Sequence, residues 1–281
     1  MNIKNIIRIF IISLSALYLF SCDIINPSED IPSYVRIDSL ILKTKYLEQG
    51  SASHNLTDIW ISIEGDKFGT FELPALIPIL RTGETNIVIR PSYRVDDQVL
   101  VREPYAFTDP FIIDTILTEG SILHLKPIVY YNENAEFLFL EDFEKTGYSF
   151  TTNRSDTALI IVNNTFSDGE HSGGIFLSNT NPFFEAISPE MDIPKANTPI
   201  YLEFSYKNNY NFEVGFFANT IAYTYIAHLS PRDNWKRITI NINGLIKQNQ
   251  DSNFKIAFRA SLIDTISKPE IYLDNIKIIH F

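Results

Sequence analysis

Apolar and polar residues alternate with a period of two along most of the chain. Val35-Arg36-Ile37 alternates, and so does Asp58-Ile59-Trp60-Ile61-Ser62-Ile63. The second run is followed by Gly65-Asp66-Lys67 and a returning Phe68-Gly69-Thr70-Phe71-Glu72-Leu73, which predicts a hairpin. Asn86–Arg90 and Ser121–Tyr130 predict two more strands, with turn signals at Pro91, Asp96-Asp97, Pro104, Pro110 and Glu119-Gly120 between them. Beyond the polar break Asn132-Glu133-Asn134 the pattern resumes at Phe137–Glu144. It continues at Ile200–Tyr206, Phe212–Phe217, Trp235–Ile242, Phe254–Ala260 and Glu270–Ile279. Such alternation places one set of side chains in a core and the other on the opposite face of a sheet. No helical period persists beyond a turn or two.

Short strands between regularly spaced turns predict an all-β chain of two β-sandwich domains. The break divides them into an N-terminal Ig-like sandwich over residues 33–131 and a C-terminal sandwich over 137–281. The second unit holds both its opening and its closing segment, so a complete core is available within it.

The first residues follow another pattern. Lys4 and Arg8 precede the apolar run Ile9–Phe20, which is short for a membrane span and reads as a secretory signal peptide over residues 1–21. The run ends in Leu19-Phe20-Ser21-Cys22, and Cys22 is the single cysteine of the chain. With no second cysteine there is no intrachain disulfide to form. Leu19-Phe20-Ser21-Cys22 resembles the lipobox of bacterial lipoproteins, although Phe20 is bulkier than the residue usual at its place. The resemblance implies cleavage before Cys22, a diacylglycerol on its thiol, acylation of the new amine by a chain such as palmitate, and a tether over residues 22–32. It also implies a place at the bacterial outer membrane or cell surface, in the manner of Bacteroidota lipoproteins. Two or more acyl chains give stable anchoring where one does not.

Charge narrows the partners. The chain carries a formal −11, and removal of Lys4 and Arg8 takes that to −13. A surface so acidic argues against nucleic acid as a partner, and against attraction to anionic lipid heads. The lipid anchor, rather than surface charge, then holds the protein on its membrane.

The second unit opens with Glu141-Asp142-Phe143-Glu144, carries the loop Asp168-Gly169-Glu170-His171-Ser172-Gly173-Gly174 and closes with Tyr272-Leu273-Asp274-Asn275-Ile276-Lys277-Ile278. These segments resemble the jelly-roll sandwiches of carbohydrate-binding modules and MAM-type domains. The resemblance covers about half of the chain after the signal, and it implies three things. The fold is a jelly roll. A structural Ca²⁺ is held near the chain ends by Asp142 or Glu144, Asp168 and Asp274, because calcium takes six to eight oxygens from carboxylates and carbonyls. A glycan or adhesion ligand is met by aromatic side chains, for which Phe183, Phe184, Tyr223 and Tyr225 are the candidates. Each of these residues also has an ordinary use, Asp168-Gly169 as a turn and the aromatics as core.

Catalysis finds little support. There is no nucleophile elbow, zinc-protease helix, phosphate loop or dinucleotide fingerprint. His54, His124, His171, His228 and His280 show no ligand spacing. Glu141, Asp142 and Glu144 are neighbours on one strand, whereas glycosidases need two acids across a cleft. The sequence therefore describes a non-enzymatic, lipid-anchored envelope protein with a binding module. Its alternatives are a structural spacer or subunit of an envelope complex, and a glycan hydrolase.

Overall fold

The alternating runs become strands, and the register between them decides which face each side chain takes. The structure is a computed structural model that describes residues 29–95, 101–193, 198–218, 222–249, 253–263 and 268–281, together with Ile3 and Asn5. The apolar run, Cys22, most of the tether and the turn residues Asp96-Asp97 lie outside the described residues.

The first unit runs β1 (Ser33–Ile37), β2 (Ile41–Lys43), α1 (Tyr46–Gln49), β3 (Asp58–Ile63), β4 (Asp66–Glu72) and β5 (Ala75–Ile79). It continues with β6 (Gly83–Arg94), β7 (Arg102–Pro104), β8 (Phe111–Leu117), β9 (Ile122–Leu125) and β10 (Ile128–Tyr130). One sheet has the order β5-β1-β9, and the parallel pair β2–β10 forms a second, two-stranded sheet. A third has the order β4-β3-β6-β7, with β8 also on β6. Val35, Ile37, Ile77 and Ile79 from the first sheet and Ile59, Ile61, Ile87 and Ile89 from the third are buried in one core. Each such side chain contributes about 1.5–3 kcal/mol on burial. The predicted hairpin is β3–β4, with a bulge opposite Ile61 and Ser62 that leaves Phe68 without a partner residue.

The second unit runs β11 (Glu136–Glu141), β12 (Leu159–Val162), β13 (Ser172–Phe176), β14 (Phe183–Ile187) and β15 (Ile200–Asn208). It continues with β16 (Phe212–Ala218), β17 (Ala222–Leu229), β18 (Arg232–Asn241), α2 (Asn243–Gln248), β19 (Phe254–Ser261) and β20 (Glu270–His280). One sheet has the order β12-β13-β20-β15-β18, with β11 beside β13 on the same edge of β20. The other is β14-β19-β16-β17. Phe204, Phe216, Phe254, Phe258, Leu202 and Ile278 pack between the two sheets. Both units are β-sandwiches, as the alternation predicted.

The two sandwiches share a core. On the sheet containing β20, the residues turned away from the second unit's own core include Tyr201, Glu203 and Ser205 of β15, Arg237 and Thr239 of β18, and Lys277 and Ile279 of β20. All of them are buried. Tyr201 and Ile279 belong to the hydrophobic core of the first unit. The Tyr201 ring lies 5.0 Å from Phe107 and 5.4 Å from Tyr93, and Phe281 lies 4.8 Å from Phe107.

Several polar groups of the covered face find partners, although Ser205 Oγ and Arg237 Nε have none among the described residues. Arg237 donates to Glu203 at 2.9 Å and to the Asn275 carbonyl at 3.0 Å. Lys277 Nζ donates to the Ser51 carbonyl at 2.5 Å and sits 5.5 Å from the Tyr131 ring. Burial, with Arg237 nearby, pulls the Lys277 amine down to about 7.

Candidate functional site

Covering the β20 sheet leaves the second sandwich with one open face, that of β14-β19-β16-β17. Register aligns Glu185, Arg259, Glu213 and His228 in one outward row, and Lys255, Phe217 and Tyr223 in another. Glu185 is fully buried, yet it is held between two cations. Arg259 pairs with it, and Arg154 Nε lies 3.2 Å from its second oxygen. A buried carboxylate survives only with such partners. The Arg259 guanidinium in turn lies 3.6 Å from the Tyr223 ring centre and 5.1 Å from that of Phe217, a stacked cation–π arrangement. Gly215 permits this closeness, because a Cβ there would come within 2.4 Å of the Tyr223 ring. Burial, reinforced by Glu213, pushes the Tyr223 phenol up to about 12. Its hydroxyl is buried with no hydrogen-bond partner among the described residues.

Two hollows flank the Glu185–Arg259 pair. One, of about 260 Å³, is bordered by Thr151, Arg154, Phe217, Glu190 and Lys255. The other, of about 340 Å³, is bordered by Phe183, Asn211, Glu213, His228 and Arg259.

Of the aromatics named from sequence, Tyr225 stands on this face and is 52% exposed, Tyr223 lies beneath Arg259, and Phe183 borders the larger hollow. Phe184 is 1% exposed, within the core. The Phe183-Phe184 pair lies in β14 rather than in a loop, so alternation sends one ring out and the other in. The sequence pattern alone does not single out Phe217 or the charged pair Glu185 and Arg259. Their signal was a charge set in the middle of a short apolar strand, once in Phe-Phe-Glu-Ala-Ile and once in Phe-Lys-Ile-Ala-Phe-Arg-Ala-Ser.

The four acids named for calcium, Asp142, Glu144, Asp168 and Asp274, lie in the region where β11, β20 and the loop before β13 touch the first sandwich. Tyr46 of α1 donates to Asp142 at 2.6 Å, and the Ser51 hydroxyl donates to Asp168. The N–H groups of Glu170 and His171 donate to Glu144 at 2.7 and 2.9 Å, and the His171 ring lies 2.9 Å from its other oxygen. Burial raises the Glu144 carboxyl, but these donors outweigh it and hold the group below its usual range. Gly169 takes a φ of +83°, and a Cβ there would lie 2.3 Å from a Glu144 oxygen, so the loop wraps this carboxylate closely.

Asp274 is fully buried. Its Oδ2 accepts the N–H groups of Ser167 and Asp168 at 2.8 and 3.3 Å, and its Oδ1 has no hydrogen-bond partner among the described residues. Hard oxygens and an orphaned buried carboxylate oxygen are the chemistry calcium takes. Among the described residues, though, no three acids or histidines are placed together to hold an ion. The cluster as it stands is a hydrogen-bonded hub.

No family model and no curated protein matches the chain. Similar solved structures include the family 11 carbohydrate-binding module from Clostridium thermocellum in complex with a β-1,3-1,4-mixed-linked tetrasaccharide. It has 13% identity, covers 51% of this chain and 94% of that one, and gives a TM-score of 0.37. The xylan-binding CBM22-1 domain from Paenibacillus barcinonensis has 12% identity, covers 53% and 97%, and also gives 0.37. An adhesin domain of Lys-gingipain from Porphyromonas gingivalis has 13% identity, covers 52% and 99%, and gives 0.35. The sandwich assignment rests on the strand order itself.

Burial raises the Asp274 carboxyl from 3.8 to about 7, against the pull of its N–H donors. The folded protein therefore holds a proton that the unfolded chain releases between those values, and stability falls as pH rises through that window. Asp274→Asn keeps an oxygen for the two N–H groups and has nothing to titrate. Its stability relative to the parent should rise from pH 4 to pH 7.5, as read by urea midpoints. Parallel pH profiles for the two proteins would contradict this placement of the group.

Proposed function

We propose that the protein is a lipid-anchored envelope protein whose second sandwich binds a glycan on the open face of β14-β19-β16-β17. The observation that carries the reading is the pairing of rings with hydrogen-bonding groups on that face. Tyr225 is the open ring, with Tyr223 and the buried Phe217 beneath Arg259, and Arg154, Glu213 and His228 stand around them beside two hollows. Sugars offer a C–H face to such rings and hydroxyls to such polar groups. The unpartnered Tyr223 hydroxyl is one donor a ligand oxygen would satisfy.

The role is non-enzymatic on this reading. Glu185, the carboxylate at the centre of the face, is fixed between two arginines instead of standing opposite a second acid. The anchor is the lipid on Cys22, and the place is the outer membrane or cell surface. A calcium ion at the junction would draw on Asp274 Oδ1, Asp142, Glu144 and Asp168, and would fasten the two units structurally.

A second reading has its own observation. Leu76 of β5 and Ile122 of β9 are exposed on the β5-β1-β9 sheet, and Ile41 and Ile128 are exposed on the adjoining β2–β10 pair, which suits a subunit of an envelope complex.

A glycan array probed with the full chain in detergent, with and without EDTA, tests the first reading. Tyr225→Ala, an exposed change, should weaken any hit by about tenfold, the scale of one lost stacking contact. A blank array, or a hit indifferent to Tyr225→Ala, would remove the glycan reading. Loss of signal in EDTA alone would support the calcium. Cys22→Ala should abolish labelling by an alkynyl fatty acid, and undiminished label would refute the anchor.

A further inference from the structure

The first sandwich has an open face too, on β4-β3-β6. Register sets Thr70, Trp60 and Arg90 side by side across the three strands, with Lys67 opposite Ser62 in the next outward row. The bulge at Phe68 brings its ring to the surface, 42% exposed, where it stacks on Phe71 at 6.3 Å. Trp60, Phe68, Lys67 and Arg90 border a groove of about 650 Å³, a size ordinary for a ligand site.

The charges around this groove are not balanced. Four acids around these strands are already engaged, while Asp66, Glu84 and Glu103 form no ion pair among the described residues. Asp58 and Glu72 bind Arg94 and Arg102, Glu64 accepts the Asn86 N–H and faces Arg81, and Asp114 accepts the Asn86 amide. Arg90 and Lys67 have no carboxylate partner among the described residues. In a chain of formal charge −11, these two cations stand beside the exposed Phe68 ring and the half-buried Trp60 ring. The Trp60 indole N–H is also buried without an acceptor among the described residues. A ring floor, two cations and an indole N–H without partners among the described residues together complement a ring that carries an anion and several oxygens.

We propose that this groove binds an acidic glycan. A sugar ring packs on Trp60 and Phe68, and its carboxylate or sulfate pairs with Arg90 and Lys67. The planar guanidinium of Arg90 matches either anion through two parallel hydrogen bonds. A neutral sugar would have no use for the two cations. Nucleic acid also uses rings and cations, but it brings a charge at every residue and needs a basic groove, which a net acidic chain opposes. The site is on the other sandwich from the face described above and does not depend on it.

The test is a titration of the full chain in detergent with four probes. These are oligogalacturonate for the carboxylate, a κ-carrageenan oligosaccharide, which carries sulfate and no carboxylate, for the sulfate, cellohexaose as the uncharged arm, and a single-stranded DNA oligomer. At least one acidic glycan should bind and quench Trp60 fluorescence, with the quench lost in Trp60→Phe, where Trp235 remains. Arg90→Gln and Lys67→Gln, both exposed, should each weaken that binding by about tenfold, the scale of one charge-assisted contact, with unchanged melting. Neither should alter any cellohexaose binding. Whether the carboxylate or the sulfate probe binds assigns the source of the anion. The proposal is overturned if neither acidic glycan binds, if both glutamine variants bind like the parent, or if DNA binds at least as tightly.

Discussion

The first sandwich does not close its own core. Tyr201 and Ile279, carried by the second sandwich, complete it, with Phe107 and Tyr93 packed around the Tyr201 ring. The core of the second sandwich, by contrast, is built from its own residues alone. This asymmetry orders much else. To deliver two apolar side chains across the junction, the β20 sheet must bury the polar neighbours that lie on the same face. Burial of charged groups such as these is tolerable only where they find partners. Glu203 and Arg237 bind each other, and Lys277 reaches the backbone of Ser51. Ser51 also binds Asp168, and nearby Tyr46 binds Asp142, so the acidic hub is part of the same junction.

The junction also decides where binding can occur. A sandwich has two outer faces, and the second unit gives one of them to the first unit. The face that remains carries the arginine-clamped Glu185 and the rings of Phe217, Tyr223 and Tyr225. The first unit covers the β20 sheet while its own β4-β3-β6 face stays open around Trp60 and Phe68. The two proposed surfaces thus sit on different sandwiches whose relative placement is fixed by packing rather than by a flexible linker.

Strands were legible from alternation because one buried face is enough to impose a period of two. What alternation cannot state is what covers the other face. Glu203, Arg237, Thr239 and Lys277 stand at polar positions that read as solvent-facing, yet the first sandwich buries them. The acids Asp142, Glu144, Asp168 and Asp274 are grouped by their motifs, and in the fold they lie along the junction without three of them forming one cluster among the described residues. Their partners Tyr46 and Ser51 could not be foreseen, because they come from the other unit, far away in the chain. Register was equally hidden. Glu185 and Arg259 are separated by 74 residues, and only the β14–β19 pairing sets them side by side. The Phe183-Phe184 pair shows the reverse. Once it is placed in a strand, simple alternation says which ring faces the core.

Scanning calorimetry of three proteins tests the shared core most directly: the full chain, residues 29–131 alone, and residues 137–281 alone. The second sandwich should melt cooperatively by itself, since its core is complete. The first should show no cooperative transition, or one well below that of the full chain, because Tyr201 and Ile279 are missing from it. A cooperative melt of residues 29–131 at the temperature of the full chain would contradict the account.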